Sequence, residues 1–294
     1  RCCRALGLLL ALLPALAHAE WYRREEAIMG TRIYVELWAD AAPAGESAVA
    51  AVIQSMHDVD EMMSTYKPAS QLSRVNDRAA QEPVKVDREL FEVIRNRLVA
   101  ISEEMRIALQ AVSGSPTVTE ASDFFTGLFL PDGAVVSMGF QVSFQAPVCG
   151  QVIRHINGKP QLKVKDGDIF IGNDPYIGAL HQNDVQMIGP IYAGDEIIAW
   201  AGVEAHETDV GGMDFASWCP KAREVWQEGI RIPCVKLVDQ GEMRDDVLEM
   251  IVTASRLPDQ LGLDIRAFIA TVNVARRRVT ELVDRYSAKT VIDV

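Results

Sequence analysis

Two apolar-rich runs, Asp184 to Tyr192 and Ile197 to Ala205, stand on either side of Ala193-Gly194-Asp195-Glu196. Such an arrangement reads as a long β-hairpin, with Gly194 supplying a turn conformation that most residues resist. The hairpin constrains everything attached to its ends. If Tyr192 pairs with Ile197, Asp184 lies across from Ala205 and beside His206 at the open end, within the roughly 5–7 Å that separates cross-strand neighbours. Side chains alternate faces, so a slip of one residue decides whether Asp184 and His206 point the same way. His181 precedes the first strand by one turn.

The remaining chain supplies both strands and helices. Ile33 to Trp38 alternate and read as a strand, and Glu46 to Met63 place Val49, Val52, Ile53, Met56, Val59, Met62 and Met63 at helical spacing. The loop Lys67-Pro68-Ala69-Ser70 follows. Arg88 to Val112 form a long amphipathic helix through Phe91, Ile94, Leu98, Ile101, Met105 and Leu109, uninterrupted by any linker and broken at Ser113-Gly114-Ser115-Pro116. Phe124 to Leu130 and Ala134 to Met138 flank the turn Pro131-Asp132-Gly133, and Asp168 to Gly172 form a short strand ending in Asn173-Asp174-Pro175. Further on, Lys221 to Gln227 with Gly229 as stop, Arg244 to Ser255 before Pro258, and Ile265 to Tyr286 have helical periodicity. Strands and helices mix without regular βαβ alternation, so the expected class is α+β. A small strand–helix segment leads through a continuous helix into a larger module of antiparallel hairpins with a helical C-terminal part.

With 294 residues, 49% of them hydrophobic, the chain can form one large domain or two ordinary ones. Acidic residues outnumber basic ones 41 to 29, a net charge of -12 that disfavours nucleic acid and anionic lipid as partners. The cysteines, Cys2, Cys3, Cys149, Cys219 and Cys234, contain no CxxC pair and make neither a zinc ribbon nor a disulfide framework. Residues 1–19 have the parts of a secretory leader: basic Arg1 and Arg4, an apolar stretch from Ala5 to Leu16, and the small-x-small site Ala17-His18-Ala19. Because the chain starts at Arg1 and stops at Val294 without a structural stop signal, it is expected to be a fragment.

No phosphate-binding loop, dinucleotide fingerprint, nucleophile elbow or H-E-x-x-H motif is present, so ATP chemistry is expected on a partner. Polar groups concentrate between residues 173 and 212, a window holding two of the five histidines. There His181, Asp184 and His206 form a sensible ligand set for Mn, Fe or Zn with positions left open for substrate. Gly211-Gly212 would let backbone come close to that centre. Spacing alone leaves a second reading open, in which both histidines are hydrogen-bonded structural residues and the acids are turn formers. Asn173-Asp174-Pro175 is similarly either an Asx-type turn or a catalytic or supporting element. Cys149 and Cys219 read as packing residues.

From about residue 91 to the end the chain resembles the hydantoinase B/5-oxoprolinase family, which includes ketone carboxylase subunits. The resemblance rests on Phe91-Glu92-Val93-Ile94-Arg95-Asn96-Arg97-Leu98, Gly172-Asn173-Asp174-Pro175-Tyr176, His181 with Asp184, His206 with Asp209-Val210-Gly211-Gly212, and Gln227-Glu228-Gly229-Ile230-Arg231-Ile232-Pro233. It implies a divalent metal held by His181, Asp184 and His206, with Asp174 and Asp209 as candidates for proton transfer or support. It further implies an oligomeric assembly with a hydantoinase A-type subunit that uses ATP to activate a cyclic amide (hydantoin, 5-oxoproline) or a ketone, which is then opened or carboxylated, in the cytoplasm. The usual Gly-Gly-Thr-His appears here as Gly178-Ala179-Leu180-His181, Gln182-Asn183 precede the Asp, and Glu207 replaces a frequent second His.

Residues 20–94 resemble instead the amino-terminal part of the FAD:protein FMN transferases, periplasmic Mg-dependent enzymes. Met29-Gly30-Thr31, Met63-Ser64-Thr65-Tyr66-Lys67-Pro68, Ser70-Gln71-Leu72-Ser73-Arg74-Val75-Asn76 and Leu90-Phe91 carry the likeness. It implies flavin (FAD) contacts at Met29 and Tyr66, but a partial pocket only, since the later metal-binding and catalytic segments have no counterpart. The expected organisation is therefore a leader (1–19), a truncated flavin-transferase-like segment (20–94) and a hydantoinase B-like module (95–294). Both resemblances meet inside one helix, where natural fusions use flexible joints, so the chain reads as a chimera of two truncated genes. The leader would direct it to the periplasm, and an inert fragment is the third functional reading.

Overall fold

The computed structural model describes residues 19–78, 85–139, 142–216 and 218–293. The leader reading falls on residues 1–18, outside the described residues, and on Ala19. By contact the chain divides into two compact units, Arg1–Leu90 and Phe91–Val294.

In the first unit, strands β1 (Glu20–Ile28) and β2 (Thr31–Ala39) pair antiparallel along their whole length, Trp21 opposite Trp38 and Ile28 opposite Thr31. Met29 and Gly30 both take positive φ, 55° and 71°, the combination a two-residue hairpin turn requires. Helix α1 (Ala42–Met63) covers one face, where Val49 and Ile53 pack with Ile28, Ile33, Val35 and Leu37. A short helix α2 (Gln71–Arg78) follows the Lys67–Ser70 loop. Helix α3 (Arg88–Val112) begins in this unit and continues into the second.

The second unit continues with a one-turn helix α4 (Pro116–Thr119), strands β3 (Phe124–Phe129) and β4 (Val135–Met138), and helix α5 (Ala146–Asn157). Strands β5 (Ile169–Gly172), β6 (Asp184–Ala193), β7 (Glu196–His206), β8 (Val235–Asp239) and β9 (Glu242–Met243) come next. Helices α6 (Asp245–Val252), α7 (Pro258–Tyr286) and α8 (Ala288–Asp293) end the chain. The strands make one seven-stranded antiparallel sheet in the order β4-β3-β7-β6-β5-β8-β9, so the fold is α+β with the β6–β7 hairpin near its middle.

That hairpin is apolar along most of its length because both its faces are covered. On one side α5 brings Cys149, Val152, Ile153 and Ile156 onto Phe125, Phe129, Ile188 and Trp200. On the other, α7 lies against β6 and β7 so closely that a Cβ on Gly189 would stand 2.5 Å from the Val272 Cγ1. Only glycine allows that approach.

Three expectations need correction. Tyr192 does pair with Ile197, but the register shifts between Ile191 and Tyr192, directly after Pro190, which has no N–H to give the ladder. The shift moves Asp184 from opposite Ala205 to opposite His206. Lys221 to Gln227 is not a helix; only Val225–Gln227 form a 3-10 turn, closed by a reciprocal capping pair of Glu224 and Gln227. Gly211 and Gly212 do bring backbone close, but to Ala254 and to Gln227–Glu228: an added Cβ would lie 2.6 Å from the Ala254 carbonyl oxygen and 2.7 Å from the Glu228 backbone. Among the described residues no helix is long and apolar enough to cross a membrane.

Candidate metal centre

Asp184 opens β6 and His206 closes β7, and the two are the last directly opposed pair of the hairpin. Their side chains meet, with Nδ1 of His206 at 3.2 Å from Oδ1 of Asp184. A single turn, in which the Asp184 N–H donates to the His181 carbonyl at 3.1 Å, folds His181 back over the same carboxylate. Its Nδ1 comes to 3.3 Å from Asp184 Oδ2, and the two imidazoles cross edge to face with centroids 4.8 Å apart. One ligand atom from each of His181, Asp184 and His206 lies within 4.8 Å of the others.

Asp184 and His206 are buried, whereas a quarter of the His181 side chain (26%) reaches solvent and gives the cluster an open side. The edge of the exposed Trp218 stands against His181, ring centroids 5.5 Å apart. Although close to Asp184, His181 Nδ1 is not aligned to hydrogen bond with it, and it is a buried nitrogen without a hydrogen-bond partner. A carboxylate between two imidazoles, with one ring nitrogen unsatisfied, is a donor set that suits a first-row divalent ion. Bonds of about 2 Å put ligand atoms about 3–4 Å apart, and the Asp184 contacts to His206 and His181, 3.2 Å and 3.3 Å, fall in that range.

One step deeper along the hairpin, Gln186 faces Glu204, and its Nε2 donates to Glu204 Oε2 at 2.5 Å. The thiol of Cys149 approaches the same oxygen at 3.4 Å. Burial first, and then the neighbouring charge of Asp184, push the Glu204 carboxyl well above the usual carboxylate range. Burial and the nearness of Asp184 thus both disfavour a second negative charge at Glu204.

The two aspartates named as candidates for proton transfer or support each anchor a loop. Asp174 forms the Asx-type turn, its Oδ1 accepting the Tyr176 N–H at 3.0 Å, and its Oδ2 lies 3.6 Å from Nε of Arg231. Asp209 is buried and accepts the Arg256 guanidinium, the Arg256 N–H and the Ser255 hydroxyl. In the first unit, Met29 sits on the β1–β2 turn and Tyr66, 93% exposed, on the loop between α1 and α2. The surface depression beside Tyr66 is bordered by Asp58, Met62, Lys67 and Arg74 and does not include Met29. Sequence reasoning did not find Trp218 or Asn183 at the centre. Trp218 is far along the chain from His181, while Asn183 was visible as part of the polar window 173–212 and as a departure from the family pattern, without a role.

An antiparallel α+β module of this kind has known counterparts. Residues 87–294 match the family model described as hydantoinase B/oxoprolinase, and the chain belongs to this family. It is 30% identical to the caprolactamase subunit beta of Pseudomonas jessenii over 68% of this chain and 35% of that protein. Identity to the acetophenone carboxylase delta subunit of Aromatoleum aromaticum is 26% over 78% of this chain and 33% of that protein. The crystal structure of ATP-dependent caprolactamase from Pseudomonas jessenii superposes with a TM-score of 0.64 at 30% identity, covering 69% of this chain and 35% of that one. The chain therefore spans about a third of the length of the curated relatives it matches (35% and 33%). Residues 29–114 also match the ApbE family, overlapping the first match over all of α3.

Proposed function

We propose that residues 95–294 form the metal-holding part of a subunit that works with an ATP-using, hydantoinase A-type partner to open a cyclic amide or carboxylate a ketone. The observation that carries this reading is the convergence of His181, Asp184 and His206 with one ring nitrogen left unsatisfied. Membership in the family and likeness to a caprolactamase subunit and a ketone carboxylase subunit support the enzyme class. A divalent ion bound there would polarise a carbonyl or a water. The chain's own part is to hold both imidazoles with the Asp184 carboxylate and to leave the His181 side open. Asp209 and Asp174 anchor the surrounding loops and remain the candidates for proton transfer or support. A subunit that depends on ATP from its partner belongs in the cytoplasm.

The test is metal content of the chain co-expressed with its ATP-using partner. About one divalent ion per chain is expected, lost in His181→Ala and His206→Ala and retained in His155→Ala. Metal retained in both of the first two variants would refute the assignment.

The ApbE match supports a second reading for the first unit, a partial flavin contact at Met29 and Tyr66. An FAD titration unaffected by Tyr66→Ala would dismiss it. The overlap of two family matches inside α3 supports the view that two unrelated genes are joined there. Continuous DNA reads across codons 88 to 98 from several sources would overturn that view.

A further inference from the structure

The Asp184–His206 pair is the last rung of the hairpin, where a ladder ordinarily frays. Beyond it the structure adds a clasp. Asn183, 5% exposed, donates from Nδ2 to the Glu207 carbonyl at 3.0 Å, and its own carbonyl accepts the Glu207 N–H at 2.8 Å. Asn183 and Glu207 are the chain neighbours of Asp184 and His206, so the two bonds close the hairpin mouth immediately outside the facing pair. His206 is also held from the other side, its N–H donating to the Asp123 carbonyl at 3.0 Å and its carbonyl accepting from Thr117 Oγ1 at 2.6 Å. On the third arm, the buried Asn173 donates to the Gln182 carbonyl at 2.6 Å and fixes the residue next to His181.

We propose that Asn183 is a positioning residue that clasps the ends of β6 and β7, so that Asp184 and His206 are held face to face as metal ligands. The proposal rests on the metal-centre reading above. An aliphatic side chain at 183 removes the amide donor to a buried carbonyl, and the strand ends separate to find other partners. Ligand geometry is sensitive to such support: losing a group that orients a ligand typically weakens metal binding by about 10- to 100-fold. An ordinary hairpin-end bond would lower stability and leave ion affinity as it is.

The two cases are separated by titrating the full chain with Co(II) and following its d–d absorption, alongside thermal melts of the metal-free protein. Asn183→Ala is expected to weaken Co(II) binding about 10-fold, with a changed band shape. Asn183→Leu, closer in volume and also lacking the donor, carries the same expectation and serves if the alanine variant does not fold. Ser137→Ala is the control, because it removes a buried hydroxyl that donates to the Leu98 carbonyl at 3.0 Å in another part of the same unit. It should lower the melting temperature and leave the Co(II) titration unchanged. A folded Asn183 variant with wild-type affinity and spectrum would overturn the proposal, and so would an equal loss of affinity in Ser137→Ala. If the wild-type chain binds no Co(II) and His206→Ala behaves identically, the metal reading itself falls and takes the positioning role with it.

Discussion

Arg256 grips Asp209 twice, its guanidinium reaching Oδ1 at 2.6 Å and its own backbone N–H reaching Oδ2 at 2.7 Å. The same side chain also donates to the Gly212 and Asp214 carbonyls, so one residue at the α6–α7 junction holds the loop that leaves β7. Burial alone would raise the Asp209 carboxyl, but the hydrogen bonds from Arg256, Gly211 and Ser255 outweigh it and hold the group below its usual range. With the folded pKa depressed, the stabilisation is present above the unfolded value near 3.8 and is lost as pH falls through the folded value. Asp209→Asn should therefore cost about 2 kcal/mol at pH 7, and its deficit against wild type should shrink in denaturant melts below pH 3.8.

Glu207 is fully buried, and burial followed by the adjacent charge of Asp264 pushes its carboxyl well above the usual range. Asp264 accepts the Ser113 hydroxyl at 2.5 Å and the Gly114 N–H at 2.7 Å. Glu207→Gln removes a charge that burial and Asp264 both disfavour and should melt at or above the wild-type temperature at pH 7. Glu207→Ala should lose about 1–3 kcal/mol, since it leaves a cavity at a buried position. Differential scanning calorimetry of both variants decides between these outcomes and their reverse.

Gly189→Ala places a methyl group 2.5 Å from Val272 where α7 crosses the sheet. Helix or strand must shift, and overpacking of this kind costs about 1–3 kcal/mol. The melting temperature should fall, while the Co(II) titration of the folded fraction stays as in wild type.

Thiol chemistry should be confined. Burial first, and then Glu204, raise the Cys149 thiol, and burial raises that of Cys234 to about 12. Only Cys219 of the three is partly exposed. Peptide mapping after brief alkylation of the native protein should find label on Cys219 and none on Cys149 or Cys234; label on Cys149 would mean that α5 opens readily from the sheet.

Much of the architecture was legible because its apolar residues are spaced by simple periods. Arg88–Val112 and the Phe124–Met138 and Asp184–His206 hairpins lie within a residue or two of where periodicity puts them. Helix α5 was not legible: its buried face of Cys149, Val152, Ile153 and Ile156 does have helical spacing, but Pro147 and Gly150 interrupt it with residues that usually mark loops. Strand β1 was not legible because only Tyr22, Glu26 and Ile28 are even partly buried, among charges that pair across the strands, as Arg23 does with Glu36. At the candidate centre the residues were readable and their register was not. A single irregularity beside Pro190 decides that Asp184 faces His206, and no composition rule signals a one-residue shift inside a strand.

The three residues of the cluster do not share one kind of support. Asp184 and His206 belong to the two paired strands of the central hairpin, whereas His181 rides on a turn with an edge in water. An ion held there would therefore exchange with solvent by the swing of one imidazole, retaining two anchors throughout. Its kinetic lability would follow the motion of a single turn, and its retention would follow the lifetime of the folded sheet.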